Sequence, residues 1–410
     1  MNLIYHCCKG DLNVAFWLRI GVVYNGALSF MDIALFSYYA FVFKGSALEL
    51  GVISAAWSVV YILANLTLGG LADRGSNKTL AFISMASSIL MMIAFSMHTK
   101  LWVSIAYMLH ALATTSISLA LSVSVLELID SYFWNTANAM LRIGTYASRG
   151  LLLIAFSYTL GTKGLSPYMY LSVAMGIMTF ISLPSIGLAI ERKLYSFTRA
   201  IDELVHRASS WALFSVSSMN PSAIQLIEKT GHESRNGVSP GRILLAILLV
   251  VALGDYVFVV FTSLLATKLA YTSYLIFMGA VAFIIGPLMY LIGKLSMGSR
   301  VLVALLVMFR GLFFILFLER VDTPLEGAVF MLVSSTLYAV IELLLYSMYI
   351  QETTGYRTNM FFVSRETGSI IGSLLGGYLW RNAQGLYIPL AVIILVATLL
   401  SLVGGRKTEL

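Results

Sequence analysis

The chain has 410 residues, 59% of them hydrophobic and 11% charged, with a mean hydropathy of +0.88. A soluble domain carries about 25% charged residues, so a water-facing surface of ordinary polarity is excluded and a multi-span membrane protein is expected. The net charge of +7 invites a nucleic-acid reading, but the basic residues are sorted by loop, as an orientation signal would be.

Spanning backbone must satisfy its own hydrogen bonds, which leaves helices or a closed barrel. Apolar runs of about twenty residues rather than ten select helices. An all-α chain is therefore predicted, with twelve spans near 17–43, 48–71, 79–97, 101–126, 137–161, 166–189, 243–267, 271–293, 301–318, 326–350, 358–380 and 386–404. Ahead of the first, His6-Cys7-Cys8 reads as reduced cytoplasmic thiols rather than a metal site, and no disulfide framework follows. The first apolar run is too long for a signal peptide and lacks a small-residue cleavage pattern.

An even number of spans puts both termini on one side. Lys9, Arg19, Arg74, Lys78, Arg192, Lys193, Arg242, Lys294, Arg300, Arg357, Arg406 and Lys407 fall on that side, against Lys44, Lys100, Lys163, Lys268, Arg320 and Arg381 on the other. The termini are thus expected in the cytoplasm of a cell-membrane protein. One long connection, 190–241, separates two sets of six spans, 1–189 and 242–410. Its Phe197, Ile201, Leu204, Val205, Ala208 and Trp211 recur at helical spacing and predict an amphipathic helix on the inner face, followed by a polar tether.

The two sets read as copies. Arg19, Asp32 and Arg142 return as Arg242, Asp255 and Arg365, each 223 positions on. Thr114-Thr115-Ser116 is matched by Ser334-Ser335-Thr336, and "GGLADRGSNK" by a decayed "GKLSMGSR". Internal repeats of this length are a transporter signature.

With these features the chain resembles the major facilitator superfamily. The sharpest local likeness is the loop between spans two and three, where Gly69, Asp73, Arg74 and Lys78 match the family's Gly-x-x-x-Asp-Arg-x-Gly-Arg/Lys-Arg/Lys pattern, while Ser76 and Asn77 depart and Gly75 sits one place early. The resemblance implies two pseudo-symmetric six-helix bundles and a monomer by default. It also implies a cytoplasmic latch in the outward-open state, with Asp73 meeting the stretch near Arg357, and Glu127 or Asp130 holding Arg74 or Lys78. Gly69 and Gly70 are expected to let helices approach closely, and Gly75 to take positive φ in a tight turn. A second motif, "GSIIGSLLGG" from Gly368 to Gly377, resembles an antiporter pattern placed in a different helix. It reads instead as a close-packing face.

A charge in the hydrocarbon costs roughly 2.5–3.5 kcal/mol on insertion scales, and such residues face the bundle interior. They are Asp32, Arg142, Arg149, Asp255, Arg310, Glu342, Arg365 and Glu366, with His110 able to serve either packing or function. Depth along the spans, with the family's helix arrangement, suggests an Asp32–Arg149 pair and an Arg310–Glu342 bridge. Arg365 and Glu366 point about 100° apart on a helix, so they do not simply share a partner. Low dielectric disfavours a charged carboxyl and a nearby Arg or anion restores it, which suits Asp32, Asp255 and Glu342 to proton or cation coupling. By resemblance the cavity is lined by spans one, four, seven and ten. Tyr24, Asn25, Tyr38, Asn65, Thr114, Thr115, Tyr256, Ser334, Ser335 and Tyr338 then join Arg149 and Arg365 as candidate substrate residues.

The expected function is secondary active transport of a small organic solute, proton-coupled, with the four intramembrane arginines favouring an anion or zwitterion. The alternatives are a proton-coupled exporter of lipophilic cations and a non-transporting receptor on the same fold. No Walker loop, metal constellation or nucleophile–base motif is present, so no cofactor, metal or enzymatic activity is expected.

Overall fold

The computed structural model describes residues 12–129, 134–185, 240–295, 300–317, 323–353 and 358–379. They form the helices α1 (Leu12–Phe41), α2 (Ala47–Asp73), α3 (Asn77–Phe95), α4 (Lys100–Leu128), α5 (Trp134–Lys163), α6 (Ser166–Ser182), α7 (Pro240–Lys268), α8 (Tyr271–Leu295), α9 (Arg300–Phe317), α10 (Pro324–Thr353) and α11 (Thr358–Leu379). The expected twelfth span, the amphipathic helix, His6-Cys7-Cys8, Asp130 and Arg357 lie outside the described residues.

Seven of these helices, α1 to α4, α7, α8 and α10, are long and apolar enough to cross a membrane. Helix α9 is apolar but short. Helices α5 and α11 carry Arg142 and Arg149, and Arg365 and Glu366, along their lengths. Outward-facing Leu66, Phe82, Leu90, Ile181, Phe309 and Leu312 are each more than half exposed, as a lipid-facing surface requires.

Helix ends follow local chemistry. Ser46 and Glu49 close a capping box on α2, with the Ser46 N–H donating to Glu49 Oε2 at 2.7 Å and the Glu49 N–H to Ser46 Oγ at 3.2 Å. Thr99 caps α4, accepting from the Trp102 N–H at 3.3 Å. Thr323 caps α10, accepting from the Glu326 N–H at 3.3 Å. Helix α2 stops where Gly75 takes φ +68°. There the Gly75 N–H donates to Ala72 O and the Ser76 N–H to Leu71 O, each at 2.9 Å, which is the paired closure of a left-handed helix end.

The packing repeats at the same interval as the sequence. Asn77 and Arg300 open α3 and α9, and Thr99 and Thr323 cap α4 and α10. Helix α1 packs on α4 and α5, and α7 on α10 and α11; α2 packs on α4, and α8 on α10; α3 packs on α4, and α9 on α10. Two large seams cross between the sets, α2 with α11 and α5 with α8. They become one another when the sets are exchanged.

Each seam is a backbone approach through glycine. A Cβ on Gly377 would meet Leu48 Cα at 3.1 Å and Gly51 Cα at 3.2 Å, and Gly150 and Gly279 each face the other's carbonyl oxygen within 3 Å. The Gly368–Gly377 stretch is a packing face, as expected. Gly368, Gly372 and Gly376 lie against the Leu248, Ala252 and Tyr256 carbonyls of α7, and a side chain on any of them would strike backbone.

Candidate functional site

Most of the charged residues gather between the two sets of helices. Tyr107 of α4 donates to Asp32 Oδ1 of α1 at 2.9 Å. It also stands among the charges of Asp255 and Glu366. Tyr338 of α10 lies within electrostatic reach of Glu342, Arg365, Asp255 and Glu366. One cluster therefore draws on α1, α4, α7, α10 and α11, from both sets of helices.

Arg365 is the best-satisfied cation in it. Its Nη1 donates to Glu342 Oε1 at 3.1 Å, and its Nε to Glu366 Oε1 at 2.9 Å. This corrects the expectation that Arg365 and Glu366 diverge. Their Cα–Cβ directions do, but an arginine side chain is long enough to fold back on its neighbour. Glu366, only 4% exposed, takes a further bond on Oε2 from Ser58 of α2 at 3.0 Å, and Ser58 Oγ lies 2.8 Å from Ser369 Oγ. The site is thus tied across the α2–α11 seam.

Arg310 is not bridged to Glu342, because Glu342 is taken by Arg365. The Arg310 guanidinium is buried over the rings of Phe314 and Tyr338, 5.0 Å from each centroid, and its Nη1 donates to Val250 O at 3.3 Å. It occupies space left by Gly254, where a Cβ would meet Nη2 at 2.9 Å. Behind Asp255 it joins Ser369, Glu366 and Arg365 as that carboxylate's polar surroundings.

The expected Asp32–Arg149 pair is likewise not made among the described residues. Arg149 lies 4.5 Å over the Tyr146 ring and reaches Ser29 of α1 with Nη1 at 3.4 Å. Arg142 is exposed on α5, in the field of Tyr346.

His110 is a packing residue. Indole N–H only donates, and Trp57 Nε1 lies 3.0 Å from His110 Nδ1, so that nitrogen accepts. The ring proton is then on Nε2, 2.7 Å from Leu28 O and 3.1 Å from Thr114 Oγ1. Tyr107 stacks on His110 at 7° between planes, and Trp57 on Tyr61 at 21°, forming an aromatic wall beside Asp32. Replacing Trp57 with phenylalanine should orphan the buried Nδ1 and cost about 1–3 kcal/mol. Thermal melts of Trp57→Phe and of the Trp57→Phe, His110→Phe pair check this, since the pair should recover part of the loss.

Several candidate cavity residues turn inward to their own set instead. Tyr24 is fully buried and bonds Ser84 and Ser88 of α3 at 2.9 and 2.7 Å. Asn25 donates to Thr145 of α5 at 3.1 Å. Thr115 donates to its own helix at Ala111 O, and Asn65 to Tyr61 O. Tyr38 packs on Phe43 and Phe95. Tyr256 and Ser334 are buried, and Ser335 is half-buried. Of the substrate candidates, Tyr338, Arg365 and Arg149 stand at or beside the cluster. The sequence reading missed Tyr107, Trp57, Tyr61 and Ser58. Their signal was the spacing of Trp57 to Tyr61 and of Tyr107 to His110, which puts each pair on one helix face.

The α2–α3 loop also differs from expectation. A Cβ on Gly69 or Gly70 would meet nothing within 4 Å, so these glycines serve no close approach here. Lys78 is not held by Glu127; its Nζ donates to Phe180 O at 2.7 Å and Ile181 O at 3.2 Å, closing the end of α6. Arg74 is exposed and makes no ion pair among the described residues. Asn77, where the family pattern has a cation, is buried and donates to Ser124 Oγ at 3.0 Å and Pro184 O at 2.8 Å. It joins the start of α3 to α4 and to the segment after α6.

The opposite end is shut. Phe36 stacks on Phe258 at 5.0 Å, Phe41 on Tyr271 at 4.9 Å, and the Tyr271 hydroxyl lies 3.1 Å from Ser37 Oγ.

No protein-family model and no curated protein matches the sequence. Solved structures do match. A D-xylose–proton symporter superposes with a TM-score of 0.62 at 12% identity, over 94% of this chain and 97% of that one. The E. coli xylose transporter in a partially occluded, inward-open conformation gives 0.63 at 12%, over 94% and 96%. A POT family transporter bound to 5-aminolevulinic acid gives 0.62 at 10%, over 95% and 94%. The chain has the major facilitator fold. Those neighbours are transporters, and at 10–12% identity the likeness to them is one of fold.

Proposed function

We propose that this protein is a proton-coupled secondary active transporter of a small organic solute, working by alternating access of two six-helix halves, 1–189 and 242–410. The observation that carries the reading is the charged cluster on the seam between the halves, with Phe36 stacked on Phe258 at one end and Gly69 and Gly70 clear of close neighbours at the other. The excess of basic loops places the open end in the cytoplasm of the cell membrane, so this conformation faces inward. When the halves rock, Gly69 closes on the start of α11, and Asp73 and Arg74 engage the stretch near Arg357 and Asp130 as a latch. The glycines have room in the present state because that contact belongs to the other one.

Coupling falls to Asp255 and Glu342, with Asp32 beside them. Each carboxylate is only partly buried, so protons reach it. Glu342 bonds Arg365 and Asp255 stands in its field, so the arginine redistributes between these two carboxylates as one takes a proton. Linkage of that kind couples solute and proton binding.

The test is reconstitution in liposomes holding a pH dye, challenged with pooled amino acids, organic acids, sugars and lipophilic cations. Proton movement with one pool, absent from empty liposomes, is expected. Asp255→Asn should lower gradient-driven accumulation at least about 10-fold, the scale of one unit of lost linkage, while solute exchange without a gradient persists. Full accumulation by both Asp255→Asn and Glu342→Gln would remove the coupling assignment.

A further inference from the structure

Arg149 of α5 and Asp32 of α1 are charges of opposite sign that make no ion pair among the described residues. Asp32 accepts a hydroxyl from Tyr107, and no basic side chain lies within ion-pair distance of it among the described residues. Arg149 reaches α1 at Ser29, three residues before Asp32, or about 4.5 Å along the axis. It too has no carboxylate partner among the described residues, and its Nε is buried with no hydrogen bond. Opposite charges this close attract strongly where water is scarce. Each is instead held by its own neighbour, Asp32 by Tyr107 and Arg149 by the Tyr146 ring and Ser29.

We infer that the transported solute is a zwitterion that bridges the two, its ammonium on Asp32 and its carboxylate on Arg149. A simple anion leaves Asp32 uncompensated, and a simple cation leaves Arg149 so. The two guanidiniums of the cluster offer no second anion site. Arg365 is saturated by Glu342 and Glu366, and Arg310 is buried beneath aromatic rings. The ring of Tyr107, tilted against Trp57, and Trp57 stacked on Tyr61 run on from Asp32 and supply an apolar surface for the rest of the molecule. This assignment rests on the transport reading and takes Asp32 out of the coupling set.

The test is binding to the purified full chain by calorimetry, using ω-amino acids from glycine to 6-aminohexanoate together with phenylalanine. The tightest binder is then compared with its N-acetyl and methyl-ester forms, which keep one charge each. On the wild type the zwitterion should bind at least about 10-fold tighter than either blocked form, the scale of one charge-assisted hydrogen bond. On Asp32→Asn the N-acetyl form should bind as well as the zwitterion; on Arg149→Gln the ester should. A merely destabilised variant does not produce that crossed pattern. Equal binding of all three forms to the wild type overturns the inference. So does equal loss of all three on both variants, or saturable binding by none of the series. Crossed binding without gradient-driven flux leaves the inference standing and removes the transport reading; flux of a singly charged solute without the pattern does the reverse.

Discussion

Gly372→Leu is expected to destabilise the protein by about 3 kcal/mol or more, the upper range for forcing bulk into packed structure. Gly368, Gly372 and Gly376 recur every fourth residue and present a strip of bare backbone to α7. Any side chain at Gly372 would run into the Ala252 carbonyl, and backbone cannot turn aside as a side chain can. Two α-helices would have to separate along their whole contact, which is among the largest in the molecule. The same change at Gly70, where a Cβ meets nothing, should cost no more than about 0.5 kcal/mol. Comparing the two variants by the fraction that stays monodisperse after heating separates packing from any general intolerance of leucine. Equal melting of Gly372→Leu and Gly70→Leu would contradict the α7–α11 contact.

The second large effect is at Arg365. Its guanidinium serves two carboxylates, one of them 4% exposed. Removing one member of a buried pair strands the other's charge, at about 3–5 kcal/mol. Arg365→Gln is therefore expected to lower the melting temperature sharply and to abolish flux, because Glu342 loses the partner that fixes it. Neutralising Glu366 as well should return much of the stability but not the flux, since the Ser58–Glu366 tie across the seam weakens with it. A double-mutant cycle over Arg365→Gln and Glu366→Gln reads this coupling. Additive losses would mean that the two side chains do not act as a pair.

Much of the fold was legible because hydrophobic length and repeat spacing are backbone properties. The eleven described helices fall on the first eleven predicted spans, and the 223-residue offset between Asp32 and Asp255 returns in the starts of α3 at Asn77 and α9 at Arg300. Side-chain partners were less legible. Depth along a span placed Asp32 near Arg149 and Arg310 near Glu342, but depth does not say which way a side chain turns about its helix. Tyr24 shows the same gap: the sequence gives its level, while the Ser84 and Ser88 hydroxyls fix its direction. Gly69 shows a further gap: a glycine in a motif marks where a close approach is possible, and here a Cβ would meet nothing within 4 Å.

The most direct measurement is the distance between spin labels across the two ends of the seam, with Cys7 and Cys8 replaced. One pair joins Thr67 to Met360 at the open end, and the other joins Val42 to Thr272 at the closed end, all exposed positions. Alternating access predicts two populations for each pair, moving in opposite directions between pH 8 and pH 5.5, so that the first shortens as the second lengthens. A single unchanging distance at both ends, at every pH and with every solute pool, would contradict the account.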